Sequence, residues 1–505
     1  MAIFQQKRLL CSLGLVLLAP ALALACRQRP APLAAPSLPA GSNVVLITVD
    51  TLRADHLSSY GYGRQTSPAI DRLAAEGVRF DQASSQWPKT TPSFASMFTS
   101  SYAKDNGIVR KVGLPLPCRF ETVAEALKRQ GYGTYAVVSN GAVGSDFYFD
   151  QGFDTFIQSW KLPHGEGGAD PNRAEAVTRL ATGVADRIDR RKPFFLWVHY
   201  IDPHWPYSPP PPFRDRFQGD RLADPAVEIP VAKGKARQEM MGIGEGQVVD
   251  GHRDLAFYVA RYDAEIAYTD TEIGRLLAAL RAKGLMGRTL TVLTADHGES
   301  LGDHHYFFDH GRFGFQSCLR VPLVVHYPGV LKPRVDRDPV ELLDLAPTFV
   351  ETAGARLAGR RWKQGTSLAA RLRGLPQPQE APAKATPPHP GLAYSEAGYE
   401  LDDHWMKIVR DRRFKLIYAQ MLPDQRWTGG DGVRFVLYDL ERDPGETHNA
   451  AAEHPEDLER LKRALWRWDR APRFDLATQP PSAACQGERR MDPETEKLLH
   501  SLGYL

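Results

Sequence analysis

Carboxylate and imidazole side chains stand directly after three short apolar segments of the chain. They are Asp50 after residues 43–49, Asp202 and His204 after 194–200, and Asp296 and His297 after 289–293. If these segments are parallel strands, their carboxyl ends share one edge of a sheet, where open α/β sheets bind ligands. One such Asp is often only a helix cap, but the repetition predicts a site for one divalent metal ion. Oxygen-rich ligands suit Ca²⁺ or Mn²⁺, and Zn²⁺ accepts the histidine.

A hydroxyl residue, Thr90, stands just before a predicted helix. Thr91 is a good N-cap and Pro92 fits the first helical position, so we expect a helix that runs to about Thr99. The positive end of its dipole would face Thr90, where a hydroxyl beside a metal could attack an anionic ester. In isolation these residues would rather be an ordinary cap, and only the rest of the set favours a nucleophile.

Apolar segments alternate with helical patterns along most of the chain. This alternation predicts an α/β fold, a large mostly parallel sheet sandwiched by helices. Beyond a Pro/Ala-rich stretch we expect a smaller C-terminal α+β domain, with antiparallel strands at 407–418 and 435–440 and a charged helix at 455–469. The strands expected before it are 43–49, 134–138, 194–200, 289–293 and 321–326, and the helices are 122–130, 174–190 and 257–283.

The composition is that of a large globular enzyme. Of the 505 residues 43 % are hydrophobic and 24 % charged, which are ordinary values for a chain with a buried core. Lys+Arg 63 against Asp+Glu 60 argues against a dedicated nucleic-acid binder. Five cysteines are too few for a disulfide scaffold, and no repeat indicates a solenoid or propeller.

The N-terminus indicates export. Lys7 and Arg8 precede an apolar run, 9–25, that ends in Ala-Leu-Ala, as in a secretory signal peptide. Pro20 shortens the run, which disfavours a membrane anchor. We therefore expect a periplasmic or secreted protein, and a lipid on Cys26 would tether it to a membrane. After processing, Cys118, Cys318 and Cys485 remain, and this odd number predicts at least one free thiol.

These features predict six segments along the chain. They are a signal peptide (1–25), a Pro/Ala-rich tether (26–42), a catalytic domain (43–374), a Pro-rich linker (375–390), a C-terminal antiparallel subdomain (391–470) and a tail with a short terminal helix (471–505).

Six short motifs follow one another along the chain: VLITVDTLRADHL at 45–57, DPHWPY at 202–207, DHGESLG at 296–302, FDHG at 308–311, RVPL at 320–323 and LYDLERDPGE at 437–446. Together they resemble the sulfatase family of the alkaline-phosphatase superfamily. The resemblance spans about residues 43–469. It implies a sulfatase-like fold, a divalent metal ion and hydrolysis of an anionic ester.

The chain departs from the sulfatase pattern at the nucleophile. The family signature is Cys or Ser, any residue, Pro, Ser, Arg, and its first residue is oxidised to formylglycine. Here Thr90 stands at that first position and Phe94 at the Arg position. Threonine cannot give the aldehyde because its β-carbon carries a methyl group. The lysine of the family's Gly-Lys-Trp segment is also missing, since Ser139-Asn140-Gly141 occupies that region.

Relatives in the superfamily, the nucleotide phosphodiesterases and phosphoethanolamine transferases, use an unmodified threonine on a metal. The metal set that this resemblance implies is Asp50, Thr90, Asp296 and His297, with Thr90 as the metal-bound nucleophile. His204 and His310 match histidines that handle the transferred group or the leaving oxygen.

Three functions stay open at this point. The first is a secreted, metal-dependent sulfatase-like hydrolase of a sulfate or phosphate ester, on a small molecule, a glycan or a lipid. Thr90 also suits a phosphodiesterase or a phosphoethanolamine-type transferase. The loss of the family's Arg and Lys suits a catalytically silent anion-binding pseudoenzyme, although such a binder would not need the whole set of metal and histidine residues.

Overall fold

The strands of the computed structural model follow the apolar segments of the sequence. In chain order, the described residues form β1 (Asn43–Val49), β2 (Val78–Ser84), β3 (Gly133–Val138), β4 (Thr155–Gln158), β5 (Phe194–Tyr200), β6 (Val231–Ala232), β7 (Ile243–Gly244), β8 (Thr289–Ala295), β9 (Ser300–Leu301), β10 (Phe307–Asp309), β11 (Arg320–His326), β12 (Arg334–Asp336), β13 (Val340–Glu341), β14 (Ala393–Ala397), β15 (Met406–Arg410), β16 (Phe414–Ala419) and β17 (Phe435–Asp439).

The structure describes most of the chain beyond the N-terminal region. The described residues are 38–109, 114–164, 170–219, 227–232, 242–354, 364–375, 391–398, 405–419, 435–470, 489–502 and 504. The predicted signal peptide, Cys26 and nearly all of the predicted linker lie outside them. Within them, no helix has the length and apolarity needed to cross a membrane. Cys318 is a buried free thiol, as predicted, and Cys118 is disulfide-bonded.

The large sheet has nine strands among the described residues, in the order β12-β2-β11-β8-β1-β5-β3-β4, with β13 also paired to β2. β1, β5 and β8 are buried along almost their whole length, as expected for central parallel strands covered on both faces. β1 pairs in parallel with both neighbours, so that Val49 lies opposite Tyr200 on one side and Ala295 on the other. The residues after these three strands therefore meet at one edge, as predicted.

This sheet differs from the sequence prediction in four further strands and in the direction of β11. β4, β12 and β13 are too short to stand out as apolar runs, and the polar residues of β2 (VRFDQAS) interrupt any such run. β11 runs antiparallel to β8 and β2. The residues between β8 and β11, 296–319, form β9, β10 and the four-residue α7, and they include no long helix of the kind that usually returns a chain for parallel pairing.

Helices cover the sheet in two groups. In chain order the helices are α1 (Pro68–Glu76), α2 (Thr90–Thr99), α3 (Ala103–Asn106), α4 (Val123–Arg129), α5 (Ala174–Asp186), α6 (Leu255–Ala282), α7 (Gln316–Leu319), α8 (Leu345–Thr352), α9 (Ala369–Leu372), α10 (Pro455–Asp469) and α11 (Pro493–Ser501). α1 and α5 pack on α6, whereas α4 and α2 pack on α8. The α/β architecture is thus confirmed.

The smaller C-terminal sheet is antiparallel, in the order β14-β15-β16-β17, and α10 packs on β15 and β16. Its presence and α10 agree with the prediction. The segment 407–418 is two strands rather than one, because the polar residues Asp411–Arg413 turn the chain between β15 and β16. β14 was not predicted as a strand.

Candidate active site

The strand ends place two carboxylates and one imidazole together. Asp50 follows β1, and Asp296 and His297 follow β8, and all three side chains have 0 % exposure. One ligand atom of each lies within 4.8 Å of the other two. Nε2 of His297 is 3.4 Å from Oδ2 of Asp296 and 3.9 Å from Oδ1 of Asp50. We call these three residues the acidic cluster.

The acidic cluster holds two buried oxygens that nothing in the described part of the chain satisfies. Oδ1 of Asp50 and Oδ2 of Asp296 have no hydrogen-bond partner there. Burial and the charge of Asp50 raise the pKa of Asp296 well above its usual range. Burial also tends to raise the pKa of Asp50, but His199 and other nearby histidines lower it below its usual range. Two adjacent buried carboxylates are costly unless a cation offsets them, so the residues fit a divalent metal ion.

The backbone sets the tautomer of His297. Its Nδ1 lies 2.8 Å from the carbonyl oxygen of Gly298, which can only accept a hydrogen bond. Nδ1 therefore carries the proton, and Nε2 presents a lone pair to the cluster, as a metal-binding histidine requires.

Two side chains hold Asp50 in place. Nδ2 of Asn140 donates to Oδ2 of Asp50 at 2.5 Å, and Nε2 of His199 is 3.5 Å from the same oxygen. Nδ1 of His199 contacts Oγ1 of Thr48 at 3.0 Å. Oδ1 of Asp50 is thereby left to face the cluster. His199 was not predicted as a site residue. The feature that could have identified it is a polar residue within the apolar run of β5.

Thr51, whose backbone lies in the left-handed region, connects Asp50 with the carboxylate of Asp296. Thr51 has φ +54°, which is unusual for a β-branched residue. Its N–H points to Oδ1 of Asp296 at 3.3 Å, and its carbonyl accepts from the hydroxyl of Tyr262 at 2.7 Å. Such strain persists where surrounding contacts fix it, and it is common at functional sites.

Thr90 joins the acidic cluster from the start of α2. Its side chain is fully buried, and Oγ1 lies 3.2 Å from Nε2 of His297. The helix starts two residues earlier than predicted. Lys89, with extended backbone, is the N-cap, and Pro92 is the third helical residue. The prediction of Thr91 as N-cap is wrong because Thr90 is already helical, and the Thr91 hydroxyl donates to the carbonyl of Ala142.

The two predicted histidines lie on one side of the cluster but differ electrostatically. The rings of His204 and His310 are 5.3 Å apart, and that of His310 is 4.3 Å from His297. Burial acts to lower the pKa of both imidazoles, and the pKa of His204 lies below its usual value. For His310 the buried carboxylate of Glu299, 3.0 Å from Nδ1, outweighs burial and raises the pKa above its usual value. His310 is thus the better proton donor. Glu299 was not singled out from the sequence.

Asp202 does not belong to the cluster. Its Oδ2 accepts from the backbone N–H of Ala174 at 2.8 Å, and its Oδ1 pairs with Arg173 at 2.7 Å. Asp202 therefore stabilises the start of α5, although it follows β5 much as Asp50 follows β1.

The position of the family arginine carries no charge here. Phe94 is fully buried, with its ring 5.1 Å from that of Trp197 and 5.0 Å from that of His199. The aromatic side chain packs beneath the site and supports His199, instead of offering a cation to an anionic substrate.

An unpredicted residue, Tyr504, reaches Thr90 from the C-terminal tail. Its hydroxyl is 2.8 Å from Oγ1 of Thr90 and 3.1 Å from Nδ2 of Asn140. Its ring lies 5.4 Å from that of His204, at an angle of 29°. Burial and the charge of Asp50 raise its pKa well above the usual range. No spacing or motif in the sequence indicates that the tail contributes to the site.

Gly298 is required next to His297 by close backbone packing. A Cβ there would lie 2.0 Å from the carbonyl oxygen of Ser317. We expect Gly298→Ala to lower the unfolding free energy by about 2–4 kcal/mol, because backbone must move. It should also displace His297. Gly287→Ala is the matched control, since a Cβ there meets nothing within 4 Å. Denaturant unfolding of both variants tests this, and equal stability would contradict it.

A buried Asp–Asp–His cluster lies beside a hydroxyl at a helix start, at the carboxyl edge of a mostly parallel sheet, and this arrangement suits metal-assisted chemistry on anionic esters. Residues 42–355 match the sulfatase family model, and residues 302–469 match the C-terminal model of N-sulphoglucosamine sulphohydrolase. The first match alone covers more than half of the chain. The chain therefore belongs to the sulfatase family of ester hydrolases.

Known proteins resemble the chain over most of its length. An N-acetylglucosamine-6-O-sulfatase of Bacteroides thetaiotaomicron is 24 % identical over 89 % of this chain and 90 % of its own. A protein solved with its substrate D-glucosamine-2-N,6-O-disulfate has a TM-score of 0.67 and 21 % identity, covering 88 % of this chain and 99 % of that one. For the phosphonate monoester hydrolase of Agrobacterium radiobacter these values are 0.65, 24 %, 85 % and 95 %.

Proposed function

We propose that this protein is a metal-dependent hydrolase of sulfate esters and that Thr90 is its nucleophile, without conversion to formylglycine. The observation that carries the proposal is the position of Oγ1 of Thr90, 3.2 Å from Nε2 of His297 within a fully buried acidic cluster. A hydroxyl held there, at the first residue of α2, also lies at the positive end of the helix dipole.

Asp50, Asp296 and His297 would hold the cation, which would be Ca²⁺, Mn²⁺ or Zn²⁺, and Thr90 would be the fourth ligand. When bound, the metal ion supplies positive charge that stabilises developing oxyanions. Two carboxylate oxygens without a hydrogen-bond partner among the described residues, Oδ1 of Asp50 and Oδ2 of Asp296, and the lone pair of His297 support this assignment. Asn140 and His199 keep Asp50 oriented toward the ion.

Two displacements at sulfur complete the reaction. The Thr90 hydroxyl first loses its proton to solvent, Oγ attacks sulfur, the bond from sulfur to the leaving alkoxide breaks, and the alkoxide takes a proton from His310. The transferred group is then a sulfate ester of Thr90. A water molecule attacks the same sulfur and gives one proton to the now neutral His310, while the bond from sulfur to Oγ breaks. Hydrogen sulfate leaves, Thr90 is left as the alkoxide for the next turnover, and His310 is protonated again. The buried carboxylate of Glu299 keeps His310 protonated for the first step. Nε2 of His204 has no partner among the described residues. Because Nδ1 already donates to the carbonyl of Trp205, Nε2 can donate to a non-bridging oxygen of the ester when the imidazole is protonated.

A sulfated sugar is the substrate class that we propose first. The family match and the relative named as an N-acetylglucosamine-6-O-sulfatase support it. A phosphate or phosphonate ester is the second candidate, as is transfer of a phosphoryl-alcohol group. Thr90 favours it because the superfamily relatives that act on phosphorus esters are the ones that use an unmodified threonine. The uncharged Phe94 position also removes one family contact to a sulfate group.

Assays with two chromogenic esters separate these candidates. We expect the purified protein to hydrolyse nitrophenyl sulfate, in a divalent-ion-dependent manner, faster than a nitrophenyl phosphodiester or phenylphosphonate ester. A faster rate with either phosphorus ester would favour the second candidate. No turnover of any ester, together with no bound metal, would overturn both and leave an anion-binding pseudoenzyme.

We also propose that the protein is exported, on the strength of the signal-peptide pattern at 1–25, with Cys26 as a site for lipid attachment. Fractionation of cells that express the full chain and a Cys26→Ser variant tests both points. Cytoplasmic retention of the full chain would contradict export, and identical release of the two proteins would contradict a lipid anchor.

A further inference from the structure

The C-terminal helix α11 is built into the catalytic domain. Nε1 of the buried Trp160 donates to Oγ1 of Thr495 at 3.0 Å, and Thr495 and Leu499 both have 0 % exposure. Asp492 caps the helix by accepting from the N–H of Thr495 and also pairs with Lys161. Gly141 allows the close approach, since a Cβ there would lie 3.3 Å from Cγ2 of Thr495. A segment docked this closely behaves as part of the fold.

The docked helix delivers Tyr504 to the nucleophile. The backbone N–H of Tyr504 donates to the carbonyl of Leu499 at 2.9 Å, which turns the chain back after α11. The phenol oxygen then lies 2.8 Å from Oγ1 of Thr90, while the ring stacks beside His204. A residue more than 400 positions away in sequence thus touches the atom that would attack the ester.

The hydrogen-bond partners fix the direction of the bond to Thr90. Oδ1 of Asn140 accepts from the N–H of Ala142 at 2.9 Å, so the other end of the amide, Nδ2, faces Asp50 and Tyr504. An amide NH₂ can only donate, and the Tyr504 oxygen is therefore its acceptor. The single proton of the phenol is left to point at Oγ1 of Thr90.

We propose that Tyr504 is a catalytic residue, which donates a hydrogen bond to Oγ of Thr90 and stabilises the negative charge on that oxygen when it loses its proton before attack and again when it leaves sulfur in the second step. The proposal rests on the proposed role of Thr90 as nucleophile. The phenol keeps its proton throughout, so no covalent step is added. Hydrogen bonds to a charged oxygen are the strong ones, and a donor fixed in advance costs no reorganisation as the reaction proceeds.

Tyr504→Phe in the full-length protein tests the proposal, because it removes the hydroxyl and keeps the ring beside His204. With nitrophenyl sulfate, or whichever ester the parent protein turns over, we expect kcat to fall about 10- to 100-fold while KM changes by less than about twofold. The melting temperature and the metal content should stay at the parent values. Tyr418→Phe, on β16 in the C-terminal sheet, is the matched control and should leave kcat unchanged.

Thr495→Val provides a second variant, since it removes the bond from Trp160 without touching Thr90. A fall in kcat, with recovery in Thr495→Ser, is expected if the docked helix positions Tyr504. An unchanged kcat in Tyr504→Phe would overturn the proposal. A raised kcat would also overturn it and would show that the hydroxyl obstructs the site. Full activity of Thr90→Ala would remove the proposed function itself, whereas an inactive Thr90→Ala beside a fully active Tyr504→Phe would remove only the role of Tyr504.

Discussion

Replacement of Thr90 by alanine is expected to lower kcat by about 10³-fold or more, because the variant has no side-chain oxygen that can attack the ester. Thr90→Ser keeps the oxygen, and its kcat should lie within about tenfold of the parent value. Steady-state kinetics on an aryl ester measures both values. Thr90→Ser also removes the methyl group that prevents oxidation of this residue to an aldehyde, so the variant shows how kcat depends on that methyl group.

Thr271→Ala is a suitable control for the loss of a threonine hydroxyl. This half-buried residue on α6 donates to the carbonyl of Ala267 in its own helix and is not part of the acidic cluster. It should keep the parent rate. A Thr90→Ala protein with parent-like kcat and intact fold would show that another group attacks the ester.

Asp296→Asn is expected to have the second-largest effect, because it removes one of the two carboxylates that would hold the cation. We expect the purified variant to retain less divalent metal after dialysis and to lose about 10²-fold or more in kcat. Added metal should raise the melting temperature of the parent protein and raise that of the variant much less, since a ligand stabilises only the state that binds it. Metal analysis and thermal unfolding measure these effects.

An exposed carboxylate supplies the control for this variant. Asp338→Asn lies between β12 and β13, away from the acidic cluster, and should keep the parent metal content. If Asp296→Asn bound as much metal as the parent, the acidic cluster would not be the metal site. If chelation of the parent left its rate unchanged, the hydrolysis would not depend on a metal.

The central residues of the site could be predicted from the sequence because residues that follow neighbouring parallel strands meet at one edge of the sheet. Asp50 and Asp296 follow neighbouring parallel strands, and the register of those strands brings their side chains together. Thr90 was found through the helix-start pattern of the residues after it. The predicted N-cap of α2 was wrong. Lys89 is the N-cap through its extended backbone and makes no side-chain capping hydrogen bond, so side-chain capping preferences do not locate the start of this helix.

Residues that depend on tertiary contacts were not accessible in this way. His199 lies inside an apolar strand, where its role depends on the neighbouring Asp50, and Glu299 acts on His310 only after β9 and β10 have formed. Tyr504 depends on the docking of α11 against Trp160. The antiparallel course of β11 likewise follows from its connection and its neighbours, since its own residues are as apolar as those of a parallel strand.

The most direct test of the central claim is to identify the covalent intermediate. The protein is mixed with an excess of aryl sulfate, quenched in acid within the first turnovers, digested, and examined by mass spectrometry. If Thr90 is the nucleophile, we expect one added SO₃ group on the peptide that carries Thr90, located on Thr90 itself and absent from the Thr90→Ala protein. An added group on a different residue, or a parent-like rate in the Thr90→Ala protein with no adduct on this peptide, would contradict it.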